Sequence, residues 1–208
     1  MNGDDMPHFE FSSVRLPIQI HASAELWGGR FLKRSSEGMT GNRFKPMNGF
    51  WTSSERKDGN SAWLDLCCDQ GRLEKIFAIE VHRFEVIGTP RIWVLKNDEQ
   101  LIDAASRLKL LPEWIDSLDW RDYINVPSHD ADEELSGRYH LNKWINDQME
   151  VLLDCGDFWG KFYSFADAVH TPADAKFSDP WMNSFEVEST CWFSPEQHLR
   201  HLGVRRWP

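Results

Sequence analysis

Apolar and polar positions alternate over several short stretches of the chain, and each such stretch predicts a strand. Leu16–His21 (LPIQIH) is the first, ahead of the Gly-rich WGGR at 27–30, and Gly49–Ser53 (GFWTS) is the second. Segments 75–82 (KIFAIEVH) and 84–95 (FEVIGTPRIWVL) read as two more. Ala166–His170 (ADAVH) and Phe185–Phe193 (FEVESTCWF) complete the set, separated by a Pro- and Asp-rich loop.

Helical spacing appears elsewhere. In SAWLDLCCDQG, either Ala62, Leu66 and Asp69 or Trp63, Leu66 and Cys67 fall at helical spacing, and Gly71 stops the segment. Residues 98–111 have an acidic first turn, basic residues late and Pro112 beyond, the polarity that a helix dipole favours. Residues 140–153 place Leu141, Trp144, Ile145, Met149 and Leu152 on one broad face. PEWIDSL reads as a short helix and PEQHLRHL as a polar C-terminal one, followed by a basic GVRRWP tail. Strands at both ends with helices between them predict an α+β domain rather than a doubly wound sheet.

The 208 residues suffice for one domain, and 41 % hydrophobic against 27 % charged residues permits a core. The net charge of −10 argues against a general nucleic-acid-coating surface, though it leaves room for a local basic groove. Such a reversal lies in the loop at 33–49, where Lys33, Arg34, Arg43 and Lys45 face the single Glu37; an anion site or a solvated basic loop both fit. Eleven Trp against three Tyr suit planar slots, in a core or around a flat ligand. Cys67, Cys68, Cys155 and Cys191 form no disulfide or zinc spacing, and the first residues lack an apolar leader. With no run long enough to span a membrane, a soluble cytoplasmic protein is expected.

Familiar catalytic signatures are missing: G-x-S-x-G, H-E-x-x-H and G-x-G-x-x-G do not occur. Gly156–Lys161 (GDFWGK) is one residue short of a phosphate loop, and Phe162 stands where a hydroxyl is needed. Cys191, His198 and His201 lack a fourth ligand in zinc spacing. Three separated pieces remain: Ile18–Ser23 (IQIHAS), Lys45–Ser54 (KPMNGFWTSS) and Phe185–Trp192 (FEVESTCW). The last carries Glu186 and Glu188 on one face if it is a strand. Three polar strand ends could converge on one cleft.

In their order and spacing these pieces resemble the ADP-ribosyltransferase superfamily. The resemblance implies a split, mostly antiparallel sheet that holds NAD, over residues 1–208, with a helical insertion at about 98–160. It implies that His21 and Ser23 bind the nicotinamide ribose and amide, and that Trp51, Thr52 and Ser53 support the nicotinamide end. Glu188 would be the catalytic glutamate, with His21 beside it, and Glu186 would select the acceptor. ADAVHT at 166–171 resembles the strand preceding the glutamate motif. His21 stands where one branch has Arg, and Phe50 and Trp51 where another has Tyr, so the branch and the acceptor stay open.

The chemistry suits the residues. Cleaving the nicotinamide–ribose bond develops a ribosyl cation, which one carboxylate can stabilise. Trp51 can stack on nicotinamide, Arg43 and Lys45 can neutralise a pyrophosphate, and His21 can bond a ribose hydroxyl. The expected activity is transfer of ADP-ribose from NAD to a protein or nucleic acid. Toxin, phage-effector or defence roles, and an inhibitor or antitoxin partner, are implied by resemblance alone. A non-catalytic module binding NAD, ADP-ribose or a protein, and an NAD glycohydrolase, are the competing readings.

Overall fold

Seven strands and five helices follow one another along the chain in a computed structural model that describes residues 11, 14–23, 31, 49–69, 80–113, 133–154, 157–177 and 187–206. The strands are β1 (Gln19–Ser23), β2 (Phe50–Ser54), β3 (Glu80–Val86), β4 (Ile92–Val94), β5 (Ala168–Thr171), β6 (Ser189–Trp192) and β7 (Leu199–Arg206). The helices are α1 (Ala62–Asp69), α2 (Asp98–Arg107), α3 (Glu133–Asp154), α4 (Asp157–Phe162) and α5 (Pro195–His198). The strands form one sheet in the order β4-β5-β6-β2-β1-β3-β7. All neighbouring pairs are antiparallel except β4 and β5. The fold is therefore α+β with an open, mostly antiparallel sheet.

The parallel pair explains where the helices fall. Parallel neighbours cannot be joined by a hairpin and need a long crossover. Here α2, α3 and α4 supply it between β4 and β5. Asn97 caps α2, its Oδ1 accepting from the Gln100 N–H at 3.1 Å. Leu101, Ile102, Ala105, Ile145, Met149 and Leu153 from α2 and α3 pack with the α4 rings and with Trp93, Val169 and Cys191 of the sheet. The near-phosphate-loop sequence GDFWGK thus serves packing: Phe158, Trp159 and Phe162 of α4 are fully buried, with Phe158 and Phe162 stacked at 5.7 Å. The opposite sheet face has its own apolar cluster, in which Phe50, Phe84, Ile92, Ala168 and Trp192 meet Leu16 and Leu199.

Several sequence expectations need correction. The C-terminal PEQHLRHL is helical only over Pro195–His198; from Leu199 the chain pairs with β3 as a strand. β3 runs through the break expected after residue 82, with buried His82 in its middle and Arg83 bonded to Glu55. β6 begins at Ser189, so Glu188 lies just before the strand and not on a strand face. Residues 75–79, 114–132 and the basic loop at 33–48 lie outside the described residues.

The ladder between β1 and β2 is the shortest, pairing only Gln19 with Ser54 and Ile20 with Ser53. Beyond Ser54 the Glu55 N–H still bonds the Ile18 carbonyl at 2.7 Å, whereas on the other side a side chain continues the joint. The His21 ring bonds the Trp51 carbonyl through Nδ1 at 2.7 Å and packs on Phe50 at 4.6 Å.

Candidate active site

Strand alternation puts Trp51 and Thr52 on opposite faces of β2. Trp51 packs against the helical cluster, whereas Thr52 accepts a hydrogen bond from the Trp192 indole Nε1 at 2.9 Å. Thr52, Gln19, Thr190 and His170, from β2, β1, β6 and β5, are all buried polar residues. Four such groups in a sheet interior are costly unless paired. Each is paired: Thr52 Oγ1 donates to Gln19 Oε1 at 2.7 Å, and His170 Nδ1 bonds Thr190 Oγ1 at 2.9 Å.

This polar row ends at Glu188. Ser54 donates to the carboxylate twice, from its N–H to Oε2 at 2.9 Å and from Oγ to Oε1 at 2.7 Å. Ser53 Oγ reaches Oε2 at 2.8 Å and the Glu188 carbonyl at 3.0 Å. His170 Nδ1 stands 3.8 Å from Oε1. The Glu188 side chain is only 12 % exposed, so it is a nearly sunken anion with its donors supplied by β2. A carboxylate offers about four acceptor positions. Donors among the described residues engage Oε2 twice and Oε1 once.

Of the residues expected from sequence, Glu188, Ser53 and Thr52 are brought together, with His21 on the neighbouring strand. Ser53 braces the glutamate, and Thr52 spends its hydroxyl inside the protein. Ser23 closes β1 opposite Glu80. Trp51 is turned toward the helical core and is not placed beside Thr52. Glu186, Arg43 and Lys45 lie outside the described residues. Gln19, Ser54, His170, Thr190 and Trp192 join the site without a role expected from sequence. Gln19 stood inside the quoted motif, and its period-two relation to His21 was the available signal.

Burial dominates the histidines. Desolvation lowers the His170 pKa below its usual 6.5, opposed by the Glu188 charge and by a bond to the Ser189 backbone. Desolvation also lowers His82, against the charge of Glu80, and lowers His21 despite its bond to the Trp51 carbonyl. Since a carbonyl only accepts, His21 Nδ1 carries the proton, and the neutral ring presents Nε2 as an acceptor.

These shifts set a pH dependence. The unfolded chain binds protons at these histidines more readily than the folded one. Their contribution is whole above pH 6.5 and is lost as pH falls through the folded values. The urea midpoint should therefore fall between about pH 7 and about pH 5, as each histidine that is buried neutral resists the proton that the unfolded chain takes up. A midpoint flat over that range would contradict neutral burial.

Among the described residues, no group of three His, Cys, Asp or Glu side chains could hold a metal ion, and no helix is long and apolar enough to cross a membrane. Compared with family models, curated proteins and solved structures, the chain has no match.

Proposed function

We propose that this protein is an ADP-ribosyltransferase of the α+β type named above, which cleaves the nicotinamide–ribose bond of NAD and passes ADP-ribose to a macromolecular acceptor. The observation that carries the reading is the Glu188 carboxylate, nearly buried and braced from β2 by Ser53 and Ser54, with an acceptor position on Oε1 that no donor among the described residues takes. A fixed anion in a low-dielectric setting stabilises a developing ribosyl cation more than a solvated one does. It can also accept from a ribose hydroxyl and so orient the sugar.

His21 fits a second contact. Its neutral Nε2 accepts from a ribose hydroxyl while Nδ1 stays tied to the Trp51 carbonyl. Thr52 and Ser53, expected from sequence to touch the dinucleotide, act behind the glutamate in this reading, and Trp51 is left out of it. Arg43, Lys45, Ser23 and Glu186 keep the roles that the resemblance implies, for the pyrophosphate, the nicotinamide end and the acceptor.

The test is incubation of the protein with NAD labelled in its adenylate part, with and without cell lysate. Nicotinamide release and transfer of label to protein or nucleic acid are expected. Release without transfer makes water the acceptor and the protein a glycohydrolase. Calorimetric NAD binding without release leaves a non-catalytic module, and neither binding nor release removes the reading.

A further inference from the structure

We infer that Gln19 is a positioning residue for Glu188: it sets the direction of a hydrogen-bond chain that aims the Ser54 hydroxyl at the carboxylate. The inference rests on the proposed function only in taking Glu188 as the reacting carboxylate. The chain itself follows from the donor and acceptor chemistry of its members.

An indole N–H can only donate, so Thr52 Oγ1 is an acceptor toward Trp192 Nε1 at 2.9 Å. Its single proton goes to Gln19 Oε1 at 2.7 Å, because the alternative acceptor, the Thr190 carbonyl, is 3.5 Å away. The amide of Gln19 is thereby oriented with its oxygen toward Thr52. Its nitrogen then faces the Pro17 carbonyl at 3.2 Å and Ser54 Oγ at 3.1 Å. A carbonyl cannot donate, so Pro17 independently demands the same orientation. Ser54 Oγ, having accepted from Gln19, has one proton left, and Glu188 Oε1 takes it at 2.7 Å. Every link points the same way, from Trp192 to Glu188.

Gln19 is completely buried, an uncommon place for glutamine, and a hydrocarbon of the same length would fill the position without needing partners. What glutamine adds is direction. A serine hydroxyl left alone can rotate among several acceptors, whereas one that receives a proton on one side must give its own on the other. Aligned bonds of this kind also polarise one another. The chain crosses between β1 and β2 at the directly paired positions Gln19 and Ser54, so the ladder itself places the two side chains within reach.

Two substitutions separate direction from packing. Gln19→Glu keeps the shape but replaces the donating nitrogen by an oxygen, so two carboxylates compete for the one Ser54 proton. Gln19→Met removes both polar ends and leaves Ser54 free to donate to Glu188. In NAD cleavage, kcat should fall roughly tenfold or more in Gln19→Glu, the scale of one hydrogen bond to a charged group. Gln19→Met should lose less, and the Kd for NAD, measured by calorimetry, should stay within a few-fold in both. A merely structural Gln19 would instead give losses that follow the melting temperatures of the two variants, and that result overturns the proposal.

A second readout needs no activity. The Trp192 indole N–H resonance, assigned in a 15N–1H spectrum with Trp192→Phe, should move in Ser54→Ala and in Gln19→Glu, because both act on the chain at a distance from the indole. An unmoved resonance in folded samples of both variants overturns the chain. If the parent protein fails to cleave NAD, the proposed function falls, and the indole resonance alone still decides for or against the directed chain.

Discussion

Replacing Glu188 by Gln lowers the rate of NAD cleavage by about 10²–10³-fold, the usual consequence of removing a group aimed at transition-state charge. NAD binding should hold within a few-fold, since the carboxylate acts chiefly on the cation that forms later. The local geometry constrains how the amide can sit. The Ser54 N–H is an obligate donor to the Oε2 position, so the amide oxygen belongs there. The amide nitrogen then occupies the Oε1 position, opposite a hydroxyl that had been donating to it. The amide then donates to the Ser54 oxygen, and the serine proton loses its acceptor while the site loses the charge. Circular dichroism should still report a folded protein. Nicotinamide release measured by chromatography decides the matter, and a variant that cleaves NAD at the parental rate removes Glu188 from the chemistry. The matching Glu186→Gln change should spare cleavage and affect mainly transfer to the acceptor.

The largest effect on stability is expected at Gly49. This residue leads into β2 against β6, and a Cβ built on it would overlap the Sγ of Cys191, with the Trp192 carbonyl at 3.6 Å. Cys191 is fully buried within the helical cluster and has little room to yield. Overpacking of this kind costs about 1–3 kcal/mol. For a chain of this size Gly49→Ala should therefore melt about 3–10 °C lower. The cause is the sulfur, so Cys191→Ala on the same chain should recover much of the loss, and the two changes should be far from additive. A Gly49→Ala protein that melts with the parent, or a double variant that melts lower still, would contradict this packing.

How far the sequence could be read depended on whether local pattern or distant pairing decides a segment. β1 is legible from the alternation of LPIQIH, and α2 from its acidic first turn, late basic residues and the Pro112 beyond it. β7 is not: Leu199 and Leu202 have helix-like spacing, and only the ladder to β3 makes that segment extended. An edge strand with mostly exposed side chains carries little hydrophobic alternation to read. β3 was cut in two because His82 and Arg83 interrupt an apolar run, although His82 is buried beside Glu80 at 3.3 Å. At the site, Glu188, Thr52 and Ser53 are singled out through the order of the three motifs and the resemblance it carries. The meeting of Gln19, Ser54 and Trp192 is not, because no spacing along the chain announces which buried polar groups share one chain of bonds.

The order of strands has a consequence for how the protein comes to be made. Ser53 and Glu188 are 135 positions apart, and β2 gains its β6 neighbour only when that far segment has left the ribosome. The first two strands must wait beside an unfinished sheet while the crossover helices are synthesised. Non-local pairing of this kind slows folding, because long loops close before their contacts stabilise anything. The braced carboxylate consequently forms later than the strand that braces it: a nascent chain stopped before residue 188 has the hydroxyls but not the acid, and the site can assemble only after β6 has been made.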